Sequence, residues 1–342
     1  MSESNDYTPA PWSAGRSFDT AYKQYDRNAG RSYATAKAEG KTASKLLPDA
    51  ILTQSSYPLI IDTDFTGSMS GWDATIFSKM GFFLHEVKTE YFGKDAEFSF
   101  GAIADSDDEY PFQARTFAKD AAAQKLMEEL VHAGGGGGSD LYHEAHGLAM
   151  LYRSRNTHMP KALIKPIYTI ITDEMPHGRV SKELAKNLAK VDIEKTMSIN
   201  EIVKELKAIY EVYIVLKPYG SETLVGDKLP NVTQEVYNRW EALVGADHIA
   251  LLPDPNRVVD VLFGIYAKET GKIDYFREEF EKRQLFDAKG RPDPAGPAKV
   301  KTVYKSLDTI HKIAGPSSGS APRGNTPSKT VGLGKGVPRK TD

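Results

Sequence analysis

Short apolar runs alternate with longer amphipathic segments along this chain, and that alternation most constrains its fold. The apolar runs have the length of buried strands and lie at 58–62, 98–103, 167–171, 212–216 and 249–252. Helical spacing of apolar residues marks the segments 72–91, 121–132, 142–153, 199–211, 234–243 and 258–268. Strands separated by helices usually pair in parallel, because the helix carries the chain back across the sheet. The sequence predicts an α/β fold with a doubly wound, mainly parallel central sheet and helices on both faces.

One pair of predicted strands is close enough in sequence to form a hairpin. The second strand, at 98–103, and a third, over 110–117, are joined by an acidic turn at 105–109. A connection this short allows antiparallel pairing, so we expect one antiparallel edge strand. The acidic turn could hold a second cation, but its composition is more typical of a solvated turn.

The composition excludes several kinds of chemistry. The chain of 342 residues has no cysteine, so thiolate zinc sites, iron–sulfur clusters, disulfides and cysteine nucleophiles are absent. The formal net charge is −2, and without a basic excess we expect no specific nucleic-acid partner. The polar N-terminus lacks the apolar core of a signal peptide, and no apolar stretch is long enough to span a bilayer. These features predict a cytoplasmic protein with no membrane partner.

Composition also divides the chain into four segments. We predict a partly helical N-terminal arm at 1–54, the α/β domain at 55–268, a C-terminal helical extension at 269–313 and a disordered basic tail at 314–342. The tail carries five basic residues, one acid, six glycines and four prolines, with no aromatic residue. Such a segment buries too little apolar surface to offset the entropy lost on ordering. Its positive charge leaves a net charge of −6 on the rest of the chain.

Oxygen-bearing side chains follow the predicted strands. In open α/β sheets ligands bind beyond the carboxyl ends of the strands, so these residues are candidate ligands. They are Asp64, Thr66 and Ser68 after the first strand, Asp173 after the central strand, and Ser139 and Asp140 after the glycine run Gly134–Gly138. Oxygen ligands with few carboxylates suit a hard cation. The sequence predicts an Mg²⁺ site, with Mn²⁺ as an alternative.

Three segments of the chain resemble the metal loops of von Willebrand factor A (vWA) domains. Residues 60–69, Ile-Ile-Asp-Thr-Asp-Phe-Thr-Gly-Ser-Met, are similar to the first loop, which is an apolar strand followed by Asp-x-Ser/Thr-x-Ser. The glycine run, followed by Ser139, Asp140 and Glu144, resembles the second loop, and residues 170–173 resemble the third. The family usually has a threonine in the second loop, where this chain offers only Ser139 or Asp140. The resemblance covers about residues 55–265.

This resemblance implies a metal-ion-dependent adhesion site (MIDAS). Asp64, Thr66 and Ser68 would hold Mg²⁺ together with Asp173 and either Ser139 or Asp140, leaving one position for a carboxylate of a partner protein. The implied function is a metal-dependent binding module in protein assembly, not an enzyme with catalytic residues. Without cysteine or signal peptide, the chain is similar to intracellular vWA proteins of bacteria and their phages. Such proteins often act beside AAA+ ATPases of the MoxR type.

Other interpretations remain open at this point. The loop Asp64–Ser68 could be only a capped strand–helix turn, since aspartate and serine also cap helices. The glycine run lacks the lysine and hydroxyl residue of a phosphate-binding loop. His143 and His146 could share a helix face and bind zinc, although a helix N-terminal or surface position is more common. A structural component with the metal as an internal staple, or an Mg²⁺-dependent hydrolase subunit, are the alternative functions.

Overall fold

The structure is a computed structural model of the chain. It describes residues 11–13, 20, 23, 33–69, 71–132, 143–224, 228–287 and 289–310. The glycine run, with Ser139 and Asp140, lies outside the described residues, as do the predicted basic tail and most of residues 1–32. All described residues belong to one compact unit, Met1–His311.

A six-stranded sheet forms the centre of the molecule. Its strands are β1 (Tyr57–Asp64), β2 (Ala96–Ile103), β3 (Phe112–Ala114), β4 (Ile167–Thr172), β5 (Glu211–Leu216) and β6 (Ile249–Leu251). They lie in the order β6-β5-β4-β1-β2-β3. All neighbours are parallel except β2 and β3, which are antiparallel. The predicted mainly parallel sheet with one antiparallel edge strand is confirmed.

Helices cover both faces of this sheet. Ten are α1 (Ala43–Leu46), α2 (Trp72–Glu86), α3 (Asp120–Glu128), α4 (His146–Asn156), α5 (Lys182–Leu188), α6 (Ile199–Ile209), α7 (Asn231–Val244), α8 (Val258–Thr270), α9 (Ile273–Leu285) and α10 (Gly296–Leu307). Helices α2, α3, α8, α9 and α10 share one apolar core with one face of the sheet, and α4–α7 share a second core with the other face. The predicted two-sided arrangement is therefore confirmed.

Alternation along β1 explains why one strand serves both cores. Leu59 and Ile61 belong to the core under α2 and α8, whereas Ile60 belongs to the core under α4. Successive side chains of a strand point to opposite faces, so a strand covered on both sides must be apolar throughout. The uninterrupted run Leu59–Ile61 is the sequence signature of this burial.

The helices after the α/β pattern pack on the same core as the domain itself. Phe276 and Phe280 of α9 and Leu307 of α10 are buried with Phe263 of α8. A Cβ at Gly264 would collide with the Leu307 side chain, so α8 and α10 approach closely at that glycine. In the described ranges no helix is long and apolar enough to cross a bilayer.

Two elements are shorter than the sequence predicts. The third strand, predicted over 110–117, is a regular strand only at Phe112–Ala114, after which Arg115 N–H still donates a hydrogen bond to the carbonyl oxygen of Phe100. The helix predicted from 142 begins at His146, because residues 143–144 form a short parallel pair with Met175–Pro176. Helical spacing continues through this pair, so the sequence pattern could not show where the helix begins.

Candidate functional site

The candidate site lies where the strand order reverses. From β1 the chain runs to β2 and β3 on one side of the sheet, and then to β4, β5 and β6 on the other. A crevice forms at such a switch point because the two connections leave in opposite directions. Asp64 is the last residue of β1 and Asp173 follows the last residue of β4, so both carboxylates lie at this point.

The loop after β1 folds back on the carboxylate of Asp64. The backbone N–H of Thr66 donates a 3.0 Å hydrogen bond to Asp64 Oδ1, and the Thr66 hydroxyl donates a 2.6 Å bond to the same oxygen. A 3-10 turn then spans Gly67–Met69. Asp64 is buried, whereas Thr66 and Ser68 are partly exposed. The loop thus presents two hydroxyl groups above a buried carboxylate.

Ser68 connects this loop to the loop after β4. Its hydroxyl donates a 2.7 Å hydrogen bond to Asp173 Oδ1, and its oxygen lies 3.1 Å from Thr66 Oγ1. A hydroxyl has one proton, and an ionised carboxylate can only accept. With the Thr66 proton on Asp64 and the Ser68 proton on Asp173, the two neighbouring hydroxyl oxygens keep lone pairs that no donor of the described residues occupies. The structure brings Asp64, Thr66, Ser68 and Asp173 together as the sequence predicts.

Thr172 contacts Asp64 directly, and His146, which the sequence analysis considered only as a possible zinc ligand, contacts Thr172. Thr172 Oγ1 donates a 3.0 Å hydrogen bond to Asp64 Oδ2, and His146 Nε2 lies 3.1 Å from the same hydroxyl. His146 is the first residue of α4, so it takes the helix N-terminal position considered for it, but it is completely buried and does not lie at the surface. Burial lowers the pKa of His146 to about 3, which keeps its ring neutral.

Further buried carboxylates surround this point. Glu144 and Glu174 are 4% and 7% exposed. Burial, and the repulsion of neighbouring carboxylates, raises the pKa values of Asp64, Glu144 and Glu174. Glu144 Oε2 has no hydrogen-bond partner within the described part of the chain. The carboxyl end of the sheet is therefore a buried, strongly acidic environment.

Lys217 supplies a positive charge that the sequence analysis did not anticipate. It follows directly after β5, and its ammonium group lies 2.7 Å from Asp173 Oδ2. The rule that polar residues after a strand lie at the ligand edge applies equally to β5 and would have selected it. It was missed because only oxygen-bearing side chains were considered as ligands.

The remaining candidates of the sequence analysis lie apart or outside the described residues. Asp62, which also lies in the loop segment 60–69, is not part of the site, because it pairs with Arg153 of α4. Ser139 and Asp140 lie outside the described residues. Over the residues that the structure describes, no three side chains of histidine, aspartate or glutamate form a group that could hold a metal ion. The residues that the fold does bring together combine two carboxylates, Asp64 and Asp173, with two hydroxyls, Thr66 and Ser68.

Comparisons with known proteins leave the family open. No protein-family model matches the chain, and no curated protein matches it. A solved structure of the pilus adhesin SpaC from Lactobacillus rhamnosus GG, in an open conformation, is similar over 67% of this chain and 31% of its own, with 11% identity and a TM-score of 0.43. Proximal thread matrix protein 1 from the mussel byssus matches 65% of this chain and 48% of its own, with 12% identity and a TM-score of 0.38. The chain thus covers less than half of either structure.

Proposed function

We propose that the chain is a metal-dependent protein-binding module of the vWA type, with a MIDAS at the edge formed by β1 and β4. One observation carries this proposal. The hydroxyl oxygens of Thr66 and Ser68 lie 3.1 Å apart, and each hydroxyl has a separate carboxylate available for its proton. When both protons point to the carboxylates, no proton lies between the two hydroxyl oxygens, and a cation beside both would offset their mutual repulsion.

The donor set fits a hard divalent cation. Around octahedral Mg²⁺, ligands at about 2.1 Å place neighbouring oxygens about 3.0 Å apart, close to the spacing of the two hydroxyls. Asp64, Thr66 and Ser68 would hold the ion, with Asp173 acting directly or through water and with Ser139 or Asp140 as a second-loop ligand. The orphaned Glu144 oxygen, and the pKa values of Asp64 and Glu144 raised by burial and by neighbouring carboxylates, indicate carboxyl groups that would gain from a nearby cation.

The partial exposure of the first loop supports a binding role. When bound, the ion supplies an electrophilic centre that attracts a carboxylate of a partner protein. The protein itself orients the two hydroxyls, through Asp64 for Thr66 and through Asp173 for Ser68. Gly67 lies between them and is exposed, and no heavy atom of the described residues lies within 4 Å of where its Cβ would be. A partner can therefore approach the hydroxyls from solvent.

The partner class follows from this chemistry. An acidic side chain at the tip of a loop or helix is the group that such a site captures, so we propose a protein partner with an exposed aspartate or glutamate. The similarity to intracellular vWA proteins suggests a MoxR-type AAA+ ATPase as one partner.

Direct measurement of Mn²⁺ binding tests the metal site. The wild-type chain should bind one Mn²⁺ in a titration followed by electron paramagnetic resonance. Asp64→Asn should weaken binding at least about tenfold, since it removes a buried ligand charge. Asp192→Asn is the matched control, because the Asp192 side chain is 82% exposed and lies outside the site. Equal Mn²⁺ affinity in the wild type and Asp64→Asn would overturn the metal site.

A second measurement tests the capture of a carboxylate. Bound Mn²⁺ with an exchangeable water enhances the relaxation of water protons, and a carboxylate that replaces this water should reduce the enhancement. We expect a reduction with a short peptide that contains glutamate, and none with the peptide in which glutamine replaces it. Mn²⁺ binding that raises the melting temperature, without a response to either peptide, would indicate a structural staple instead.

A further inference from the structure

Lys217 places a charged ammonium group inside the cluster of carboxylates. Its Nζ lies 2.7 Å from Asp173 Oδ2, 3.0 Å from the carbonyl oxygen of Ser68, and 3.1 Å from those of Pro218 and Gly220. The side chain is 1% exposed, and Nζ is 5.2 Å from the centre of the Trp72 ring. Four oxygens and an aromatic face thus surround a cation that belongs to the protein.

Asp173 accepts hydrogen bonds from this ammonium group and from two further donors. Oδ2 accepts from Lys217 Nζ and from the backbone N–H of Gly220 at 3.0 Å, while Oδ1 accepts from the Ser68 hydroxyl at 2.7 Å. The negative charge of Asp173 is therefore balanced before any ion arrives. What Asp173 still contributes is the orientation of Ser68, which makes it a positioning residue.

The same contacts join three loops. Lys217 holds the backbone of Ser68, which belongs to the loop after β1, and it pairs with Asp173 from the loop after β4. Its own segment, 217–220, follows β5. A charge fixed at this junction acts on any ion that the hydroxyl of Ser68 would bind, because buried charges are poorly screened.

We infer that Lys217 is a permanent internal cation that weakens the affinity of this edge for a divalent ion and keeps Asp173 from acting as a direct ligand. The inference rests on the proposed function, since it concerns the same site. It follows that the site should be loaded only at high concentrations of free Mg²⁺ or Mn²⁺, and that removing the lysine charge should tighten binding. A lysine with a purely structural role would have the opposite effect, because its loss would only loosen the loops.

Mn²⁺ affinity of the full chain, measured by isothermal titration calorimetry, tests the inference. Lys217→Met removes the charge and keeps an unbranched side chain, so Mn²⁺ should bind at least about tenfold more tightly. Lys79→Met is the matched control, because Lys79 is the other buried lysine among the described residues. It should leave the Mn²⁺ affinity unchanged.

A second pair of variants tests the inference even if Lys217→Met does not fold. Lys217→Met leaves Asp173 as an unpaired buried charge, which destabilises the protein when no metal is present. Asp173→Asn and the double variant Asp173→Asn/Lys217→Met differ only in the lysine charge. The double variant should bind Mn²⁺ at least about tenfold more tightly than Asp173→Asn, and this comparison decides the matter if Lys217→Met does not fold.

The outcomes separate this inference from the proposed function. Unchanged or weaker Mn²⁺ affinity on removal of the lysine charge would overturn the inference, while wild-type binding that is lost in Asp64→Asn would still support the metal site. A wild type that binds no Mn²⁺ beside a Lys217→Met variant that does would support the inference and count against the proposed function. Absence of Mn²⁺ binding in every variant would overturn both.

Discussion

Arg153 forms an ion pair with Asp62 in the middle of the sheet, and both side chains are completely buried. Asp62 Oδ2 accepts hydrogen bonds from Arg153 Nε at 3.1 Å and from the Tyr168 hydroxyl at 2.7 Å, while Arg153 Nη1 donates to Ser99 Oγ at 2.9 Å. A charge in the centre of an apolar strand is tolerated only when such partners replace water. The pair explains why Asp62, two residues before Asp64, is not part of the candidate site.

Removing one partner of this pair should strongly destabilise the fold. Arg153→Met leaves the carboxylate of Asp62 buried without a counter-charge, which costs about 3–5 kcal/mol. The free energy of unfolding, from urea titration, measures the loss. Arg155→Met is the matched control on the same helix, because Arg155 pairs with Glu205 near the surface and should cost less than about 1 kcal/mol. Similar losses in the two variants would contradict this account of the buried pair.

Gly101 should tolerate no side chain, because β2 passes close to Asp62 and to β3. A Cβ at Gly101 would collide with Asp62 Oδ1 and lie 2.7 Å from the carbonyl oxygen of Gln113. Neither neighbour can move freely, since one is held by the ion pair and the other is backbone. Gly101→Ala should reduce the free energy of unfolding by about 1–3 kcal/mol. At Gly178 a Cβ would meet no heavy atom of the described residues within 4 Å, so Gly178→Ala should change the free energy of unfolding much less.

Neutral His146 should make stability depend on pH. Burial, with smaller contributions from the nearby His177 and His143, lowers the pKa of His146 to about 3. In the unfolded chain the same ring is protonated below about pH 6.5. Between these values the unfolded state binds more protons, so stability falls as the pH falls, by at most about 1.4 kcal/mol per pH unit.

The buried carboxyls, whose pKa values are raised, have the opposite effect and make stability fall as the pH rises. A comparison with a variant that lacks His146 separates the contribution of the histidine from theirs. The free energy of unfolding should be measured from pH 4 to pH 8 for the wild type and for His146→Gln. We expect the difference between the two proteins to shrink as the pH falls below about 6. A difference that stays constant with pH would show that His146 is not held neutral in the fold.

Ser68→Ala should separate metal binding from folding. The hydroxyl of Ser68 is partly exposed and donates one hydrogen bond to Asp173. Hydrogen bonds to a charged acceptor are stronger than neutral ones, so without metal the substitution should lower the free energy of unfolding by about 1.5–3 kcal/mol. When the Mn²⁺ concentration is one hundred times the dissociation constant, metal binding should raise the free energy of unfolding of the wild type by about 2.7 kcal/mol. Ser68→Ala should lose most of that gain, which thermal melts with Mn²⁺ and with EDTA would reveal. A gain as large as that of the wild type would remove Ser68 from the ligand set.

The sequence alone was sufficient for the architecture. Apolar runs separated by amphipathic helices predicted the parallel sheet covered on both faces, and the short connection after β2 predicted the antiparallel edge. The rule that ligands lie beyond strand ends also selected Asp64 and Asp173, which the fold brings to one crevice. These features depend on periodicity and on the order of elements along the chain, which a sequence shows directly.

Only the tertiary structure decided which charges meet. Lys217 and Asp173 are 44 positions apart, and Arg153 and Asp62 are 91 apart, yet each pair shares a buried contact. The periodicity of a sequence shows which face of an element is buried but not which side chain of another element lies against it. An aspartate after a strand therefore looks the same whether it faces a metal, an ammonium group or a guanidinium group. Packing of β5 beside β4 placed an ammonium group at the candidate site, and packing of α4 on the sheet balanced the charge within β1.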